Sequence, residues 1–156
     1  MHVIVATDGS KQSLAAARHF KSFADPQRIT AVSVVAVIRP LASVAFADEL
    51  SGGPKAKVAK DSLSFQDAAE SSAAVVAAEF DGWGPKVTTR IRSGSPAAEI
   101  IKLAKQVDAG LVVVAAGSRG LSETVLLGST AQRVQHYAPC PVLVVRPAPK
   151  VKRAKS

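Results

Sequence analysis

Aromatic residues are scarce in this chain, 4% of 156, and cysteine occurs once. A core with few rings must be built from Val, Ala, Leu and Ile. Such a core suits buried parallel strands with Ala-rich helices packed close on them. The single cysteine, Cys140, cannot make an internal disulfide, which fits a reducing compartment. It lies between Pro139 and Pro141, just before an apolar run, and reads as a buried or half-buried thiol. No apolar run approaches the roughly 20 residues needed to cross a bilayer. Met1 to Asp8 lacks the charged start and long apolar stretch of a secretory signal, so the expected location is the cytoplasm. Internal repeats are also absent. Histidines are few: His2 precedes the first expected strand, and His19 and His136 fall within expected helices. No nucleophile and base stand where the chain would bring them together, which makes an enzyme the weakest of the readings.

What is present is a 47% hydrophobic chain of a length that suits one compact domain with one core. Lys and Arg number 20 against 12 Asp and Glu, a formal net charge of +8. Part of this charge is Lys150, Lys152, Arg153 and Lys155, behind Pro147 and Pro149. Residues 148–156 are expected to be a basic, disordered tail, with the domain occupying 1–147. No aromatic residue interleaves those charges to stack on bases, so nucleic acid is not the expected partner.

Along the chain, Val3 to Ala6 reads as a buried strand ending at Thr7-Asp8-Gly9-Ser10, with Ser10 as cap of a first helix. In that helix Leu14, Ala17, Arg18 and Lys21 follow at helical spacing, and Asp25-Pro26 ends it. Ile29 to Ile38 reads as a second strand. Pro40 to Lys60 has no clean period and holds the breaker cluster Ser51-Gly52-Gly53-Pro54; it reads as a long, mobile connection. Ala56 to Phe80 is an Ala-rich helix, and Lys86 to Ile91 a third strand. Ser95 and Pro96 open a helix with Ala97, Ile100, Ile101 and Ala104 on one face. Leu111 to Ala116 is a fourth strand, Leu126 to Tyr137 a fourth helix and Val142 to Val145 a fifth strand. This alternation predicts βαβ units, a doubly wound α/β domain with a parallel sheet covered on both faces.

Ligands of such sheets bind outside the carboxyl ends of the strands, where strand order reverses. The candidates are therefore Ala6, Thr7 and Asp8 at the end of strand one. After strand four come Ala116, Gly117, Ser118, Arg119 and Gly120, then Gly128, Ser129 and Thr130 at the start of the last helix. Gly117 and Gly120 allow a tight turn and close backbone approach. Gly128-Ser129-Thr130 opens a helix whose free N–H groups attract a phosphate. The competing reading is a strand-to-helix turn that uses glycine only for tightness. Asp8 is a candidate for a ribose hydroxyl or a Mg²⁺ ion, and equally for turn formation or helix capping. Lys11 and Arg119 follow the same strand ends and favour an anion there.

Val3-Ile4-Val5-Ala6-Thr7-Asp8-Gly9-Ser10 resembles the start of the universal stress protein family. Residues 112–122, ending Gly117-Ser118-Arg119-Gly120-Leu121-Ser122, resemble its fourth strand and glycine loop. Residues 126–134 and 138–146 resemble its last helix and strand, while the middle, Pro40 to Trp83, matches only in outline. The resemblance implies an adenine-nucleotide α-hydrolase-like fold: a five-stranded parallel sheet of order 3-2-1-4-5 with two helices on each face. It implies a homodimer joined through the last strand, Val142, Leu143, Val144 and Val145. It also implies ATP or another adenine nucleotide held by Asp8, Gly117, Gly120, Gly128 and Ser129, with Val34 against the adenine. One departure stands out: Leu121 to Leu127 are seven residues between Gly120 and Gly128, where the family pattern has two more. Two residues of extended chain reach roughly 7 Å. The expected role is regulatory or stress-related binding, and slow hydrolysis of bound ATP would need no nucleophile–base pair. The alternative is a dimeric interaction module with a degenerate site.

Overall fold

The structure, a computed structural model, describes residues 1–40, 55–117 and 127–148, with the backbone alone for 55–63. The elements are β1 (His2–Thr7), α1 (Lys11–Phe23), β2 (Ala31–Ile38), α2 (Lys55–Ala78), β3 (Lys86–Ser93), α3 (Pro96–Gln106), β4 (Ala109–Ala115), α4 (Ser129–Tyr137) and β5 (Val142–Val145). A single 3₁₀ turn, Pro26–Arg28, precedes β2. The five strands form one parallel sheet in the order β3-β2-β1-β4-β5, as expected.

Strand residues alternate between the two faces, and the valine-rich strands supply apolar side chains to both. On one face Val3, Val5, Val32, Val34 and Val113 pack against Ala16, Ala17 and Phe20 of α1 and against Ala73 and Val76 of α2. On the other, Ile4, Val35, Val112 and Val114 meet Ala97, Ile100, Leu103 and Ala104 of α3 and Ala131 and Val134 of α4. Two helices therefore cover each face. The scarce aromatics are concentrated where α1 and α2 end: the Phe20 ring lies 6.3 Å from Phe80 and 5.8 Å from Trp83. The same two helices are tied on the surface by Arg18 and Glu79, 2.7 Å apart.

Several expected boundaries shift. Ile29 lies outside β2 because Asp25 and Pro26 start a 3₁₀ turn first, with Asp25 Oδ1 accepting from Gln27 N–H at 3.0 Å. His2 belongs to β1 rather than preceding it. The buried face of α3 uses Leu103, 1% exposed, where Ile101 was expected; Ile101 is only half-buried. The last helix starts at Ser129, not Leu126. Gly128 is its extended N-cap, and the Gly128 N–H is held by the Ala116 carbonyl at 2.7 Å. The connection and tail expected at Pro40 to Lys60 and at 148–156 lie largely outside the described residues. No helix among the described residues is long and apolar enough to cross a membrane.

Candidate functional site

The chain winds from β1 outward to β2 and β3, then returns past β1 to β4 and β5. At that reversal the carboxyl ends of β1, β2 and β4 open on a cavity of about 620 Å³. One part is apolar, with Val35 and Val37 from β2, Ile100 from α3, Val114 from β4 and Leu127 before α4. The other is polar, with Asp8, Ser10, Gly117, Gly128 and Ser129.

The turn after β1 is fixed by short side chains. Ser10 Oγ caps α1 by accepting from Ser13 N–H at 3.1 Å. The Ser13 hydroxyl donates to the Ser10 carbonyl at 2.8 Å, so its one proton is engaged. Thr7 Oγ1, 2.8 Å from Ser13 Oγ, must then be the donor in that pair, and it accepts from Gly9 N–H at 3.1 Å. Asp8 Oδ1 accepts from Ser10 N–H at 2.9 Å, and Asp8 lines the cavity. Gly9 has φ +80°, and a Cβ there would come within 2.8 Å of Ser72 Oγ on α2, so a side chain at this turn would be strained and would displace the serine hydroxyl.

The end of β4 meets the start of α4 backbone to backbone. Gly117 has φ +110°, and a Cβ on it would lie 3.4 Å from both Cα and N of Gly128. The first intrahelical bond of α4 runs from Gln132 N–H to the Gly128 carbonyl at 3.0 Å. The amides of Ser129, Thr130 and Ala131 precede it and have no intrahelical acceptor. These amides lie beside the Gly117 turn, where an anion would complete their hydrogen bonding.

Of the residues expected at the site, Ala6, Thr7, Asp8, Ala116, Gly117, Gly128, Ser129 and Thr130 all line this cavity. Ser118, Arg119 and Gly120 lie outside the described residues. Val34 is not brought here. It is fully buried in the opposite face against α1 and α2, and its neighbours Val35 and Val37 face the cavity instead. A strand's period of two means that a register error of one residue moves a side chain to the other face. Lys11 lines a separate groove between α1 and β5, and the described cation at the cavity is Arg39. Arg39, Pro96, Ile100 and Leu127 were missed. Pro96 had a signal, since Gly94-Ser95-Pro96 also follows a strand end.

The groups with perturbed titration lie away from the cavity, His2 and Cys140 among them. Burial, then the nearby Arg90 and the Met1 amino group, hold the His2 imidazolium below its usual range. Burial alone pushes the Cys140 thiol up, which disfavours the thiolate. Among the described residues no group of three or more His, Cys, Asp or Glu is placed to hold a metal.

Residues 1–146 match the model of the universal stress protein family. A universal stress protein of Methanocaldococcus jannaschii is 31% identical over 144 residues, covering 92% of this chain and 81% of that protein. Among solved structures, a universal stress protein in complex with cAMP superposes with a TM-score of 0.59 at 23% identity, over 93% of this chain and 96% of that one. A universal stress protein family protein of Arabidopsis thaliana with AMP bound gives 0.64 at 15% identity, over 94% and 91%. The strand order and the two-helix layers agree with these superpositions, and the family model spans nearly the whole chain: the chain belongs to the universal stress protein family.

Proposed function

We propose that the cavity binds an adenine nucleotide, ATP foremost, and that the protein acts as a regulatory or stress-response binding protein rather than as an enzyme. The observation that carries this reading is the apposition of Gly117 and Gly128 beside the free amides of α4, next to an apolar recess lined by Val35 and Val37. A flat base fits the recess, and a phosphate fits the amides. Two proteins of the same fold were solved with cAMP and with AMP, which supports the ligand class. Mg²⁺ is commonly held by one or two carboxylates together with substrate phosphates. Asp8 is the carboxylate among the described lining residues, so it would hold such an ion with the nucleotide's own oxygens. Ser118, Arg119 and Gly120 are assigned to the phosphate end on the family resemblance.

The functional unit is proposed to be a homodimer joined through Val142, Leu143, Val144 and Val145. The two sheet edges differ. β3 carries Lys86, Arg90 and Arg92, whereas β5 is an uncharged, half-buried run. An uncharged edge invites pairing, and a two-fold partner closes it. The groove beside it, lined by Leu143, Val145 and His19, offers apolar surface to the partner. Analytical ultracentrifugation is expected to give a dimer at micromolar concentration, shifted to monomer by Val144→Glu. A parent that sediments as a monomer throughout contradicts this assembly.

The nucleotide is tested by denaturing the purified protein and identifying what it releases by mass spectrometry. ATP, ADP or AMP in stoichiometric amount is the expected result. A chain that releases none and takes up none on titration would instead be the dimeric interaction module, the reading that the seven-residue spacing from Gly120 to Gly128 favours.

A further inference from the structure

Among the described residues three polar side chains are buried: Thr7, Ser13 and Ser33. Ser33 lies in β2, away from the cavity. Thr7 and Ser13 sit together where β1 turns into α1. Ser13 is 2% exposed and stands one turn before Ala16 and Ala17 on the inner face of α1. An alanine would satisfy the packing there and suit a helix at least as well. The hydroxyl therefore has another use.

The start of α1 does not need it. Ser10 Oγ already caps the helix by accepting from Ser13 N–H. In a capping box the third helical residue reaches back to the amide of the cap. Here that amide, Ser10 N–H, is held by Asp8 Oδ1. The Ser13 hydroxyl instead donates to the Ser10 carbonyl and accepts from Thr7 Oγ1, both at 2.8 Å. Thr7 Oγ1 accepts in turn from Gly9 N–H. One buried hydroxyl thus grips the chain on both sides of Asp8 and Gly9, at Thr7 before and at Ser10 after. Asp8 between them is exposed and lines the cavity. A clamp of this kind removes backbone freedom before a ligand arrives, which lowers the cost of binding.

We propose that Ser13 is a positioning residue of the nucleotide site, whose hydroxyl holds Thr7 and Ser10 so that Asp8 meets the ligand already in place. The inference rests on the nucleotide reading above. Ser13 borders the cavity as well, but its proton and its oxygen are both engaged within the turn, so it acts through Asp8.

A double-mutant cycle tests this, with ATP and Mg²⁺ titrated by calorimetry into the parent, Ser13→Ala, Asp8→Ala and the double variant. Each is titrated at a temperature where circular dichroism shows it folded. Ser13→Ala keeps the amide bond to Ser10 and loses only the hydroxyl. It is expected to weaken binding about tenfold when Asp8 is present and less than about twofold when Asp8 is absent, since a loosened turn then has no carboxylate to misplace. Thr7→Val breaks the same tie from the strand and should reproduce this pattern; it decides the matter if Ser13→Ala does not fold. If Asp8→Ala binds too weakly to complete the cycle, amide exchange in the ligand-free protein decides it. Gly9 and Ser10 should then exchange at least about tenfold faster in Ser13→Ala than in the parent, and unchanged exchange overturns the proposal. Equal losses with and without the carboxylate are what a merely structural serine predicts, and they overturn it too. So does parent affinity in Asp8→Ala or in Ser13→Ala. In each of these cases the nucleotide reading stands, whereas a parent that binds no nucleotide overturns both.

Discussion

The two rims of the sheet use their polar groups in opposite ways. At the amino rim they bind one another. The Met1 amino group donates to the Arg28 carbonyl at 2.7 Å, and Thr30 N–H donates to the Met1 carbonyl at 2.9 Å. His2 Nε2, Ser33 Oγ and Thr88 Oγ1 link β1, β2 and β3 through contacts of 2.8 and 3.2 Å. At the carboxyl rim side chains close the first turn, through Thr7 and Ser13, while backbone bonds tie Gly94 to Ile38 and Gly128 to Ala116. There the backbone takes left-handed values at Gly9, Gly94 and Gly117. The Ser129 hydroxyl and the Arg39 and Arg133 guanidiniums have no partner among the described residues. Both rims are built from the same strands a few residues apart. Under the proposed function, the difference separates residues that serve folding from residues that serve binding.

Gly117→Val should break the open rim with the largest effect. The new side chain meets Gly128 and forces a β-branched residue into positive φ, which costs about 1–3 kcal/mol of stability. Nucleotide affinity is expected to be lost altogether, as read by titration at a temperature where circular dichroism shows the variant folded. Ser33→Ala breaks the closed rim instead. It leaves His2 and Thr88 without their shared partner, for an expected loss of about 1–3 kcal/mol in urea unfolding. Affinity should stay within about twofold, since no member of the chain approaches the cavity. If Ser33→Ala weakened binding as much as Gly117→Val did, the division between rims would fail.

Much of that division was legible in the sequence, for different reasons at the two ends. The fold was readable because Val and Ala runs alternate with helical patterns and end at Gly, Ser and Pro. The glycine turn was readable because glycines at a strand end and at a helix start mark a tight turn and close backbone approach, as Gly117 and Gly128 make. The side-chain wall of the cavity was not. Val34 and Val35 are identical in type and both fully buried, so composition cannot say which lies on the cavity side and which faces Phe20 and Val76. Only the register against β1, which pairs Val5 with Val34 and Ala6 with Val35, decides it. Likewise Lys11 and Arg39 both follow strand ends, and helix direction alone turns Lys11 away toward β5. The polar chain at the amino rim left no signal, because His2, Ser33 and Thr88 are distant in sequence and ordinary in kind.

Smaller effects sharpen the contrast. Ser129→Ala removes one hydroxyl from the open rim and should cost about 0.5–1.5 kcal/mol of ATP affinity, roughly two- to tenfold, with no change in melting temperature. A pH series reports on the closed rim. The folded His2 is held below its ordinary 6.5, chiefly by burial, so the unfolded chain takes up its proton first as pH falls. The contribution of neutral His2 is fully present above about 6.5. It declines as pH drops below that value through the folded one. Glu79, held low by its hydrogen bond to Arg18, titrates below this window. Melting temperatures of the parent should therefore fall between pH 7 and 5 more steeply than those of His2→Gln, and parallel slopes would remove His2 from the account.

The most direct test is titration calorimetry of ATP with Mg²⁺ into the parent, Gly117→Val and Ser33→Ala under one set of conditions. The account predicts saturable one-site binding to the parent, nearly the same affinity for Ser33→Ala despite its lower stability, and no binding to folded Gly117→Val. A parent that shows no binding after removal of any carried nucleotide, or a Gly117→Val variant that binds as the parent does, would contradict it.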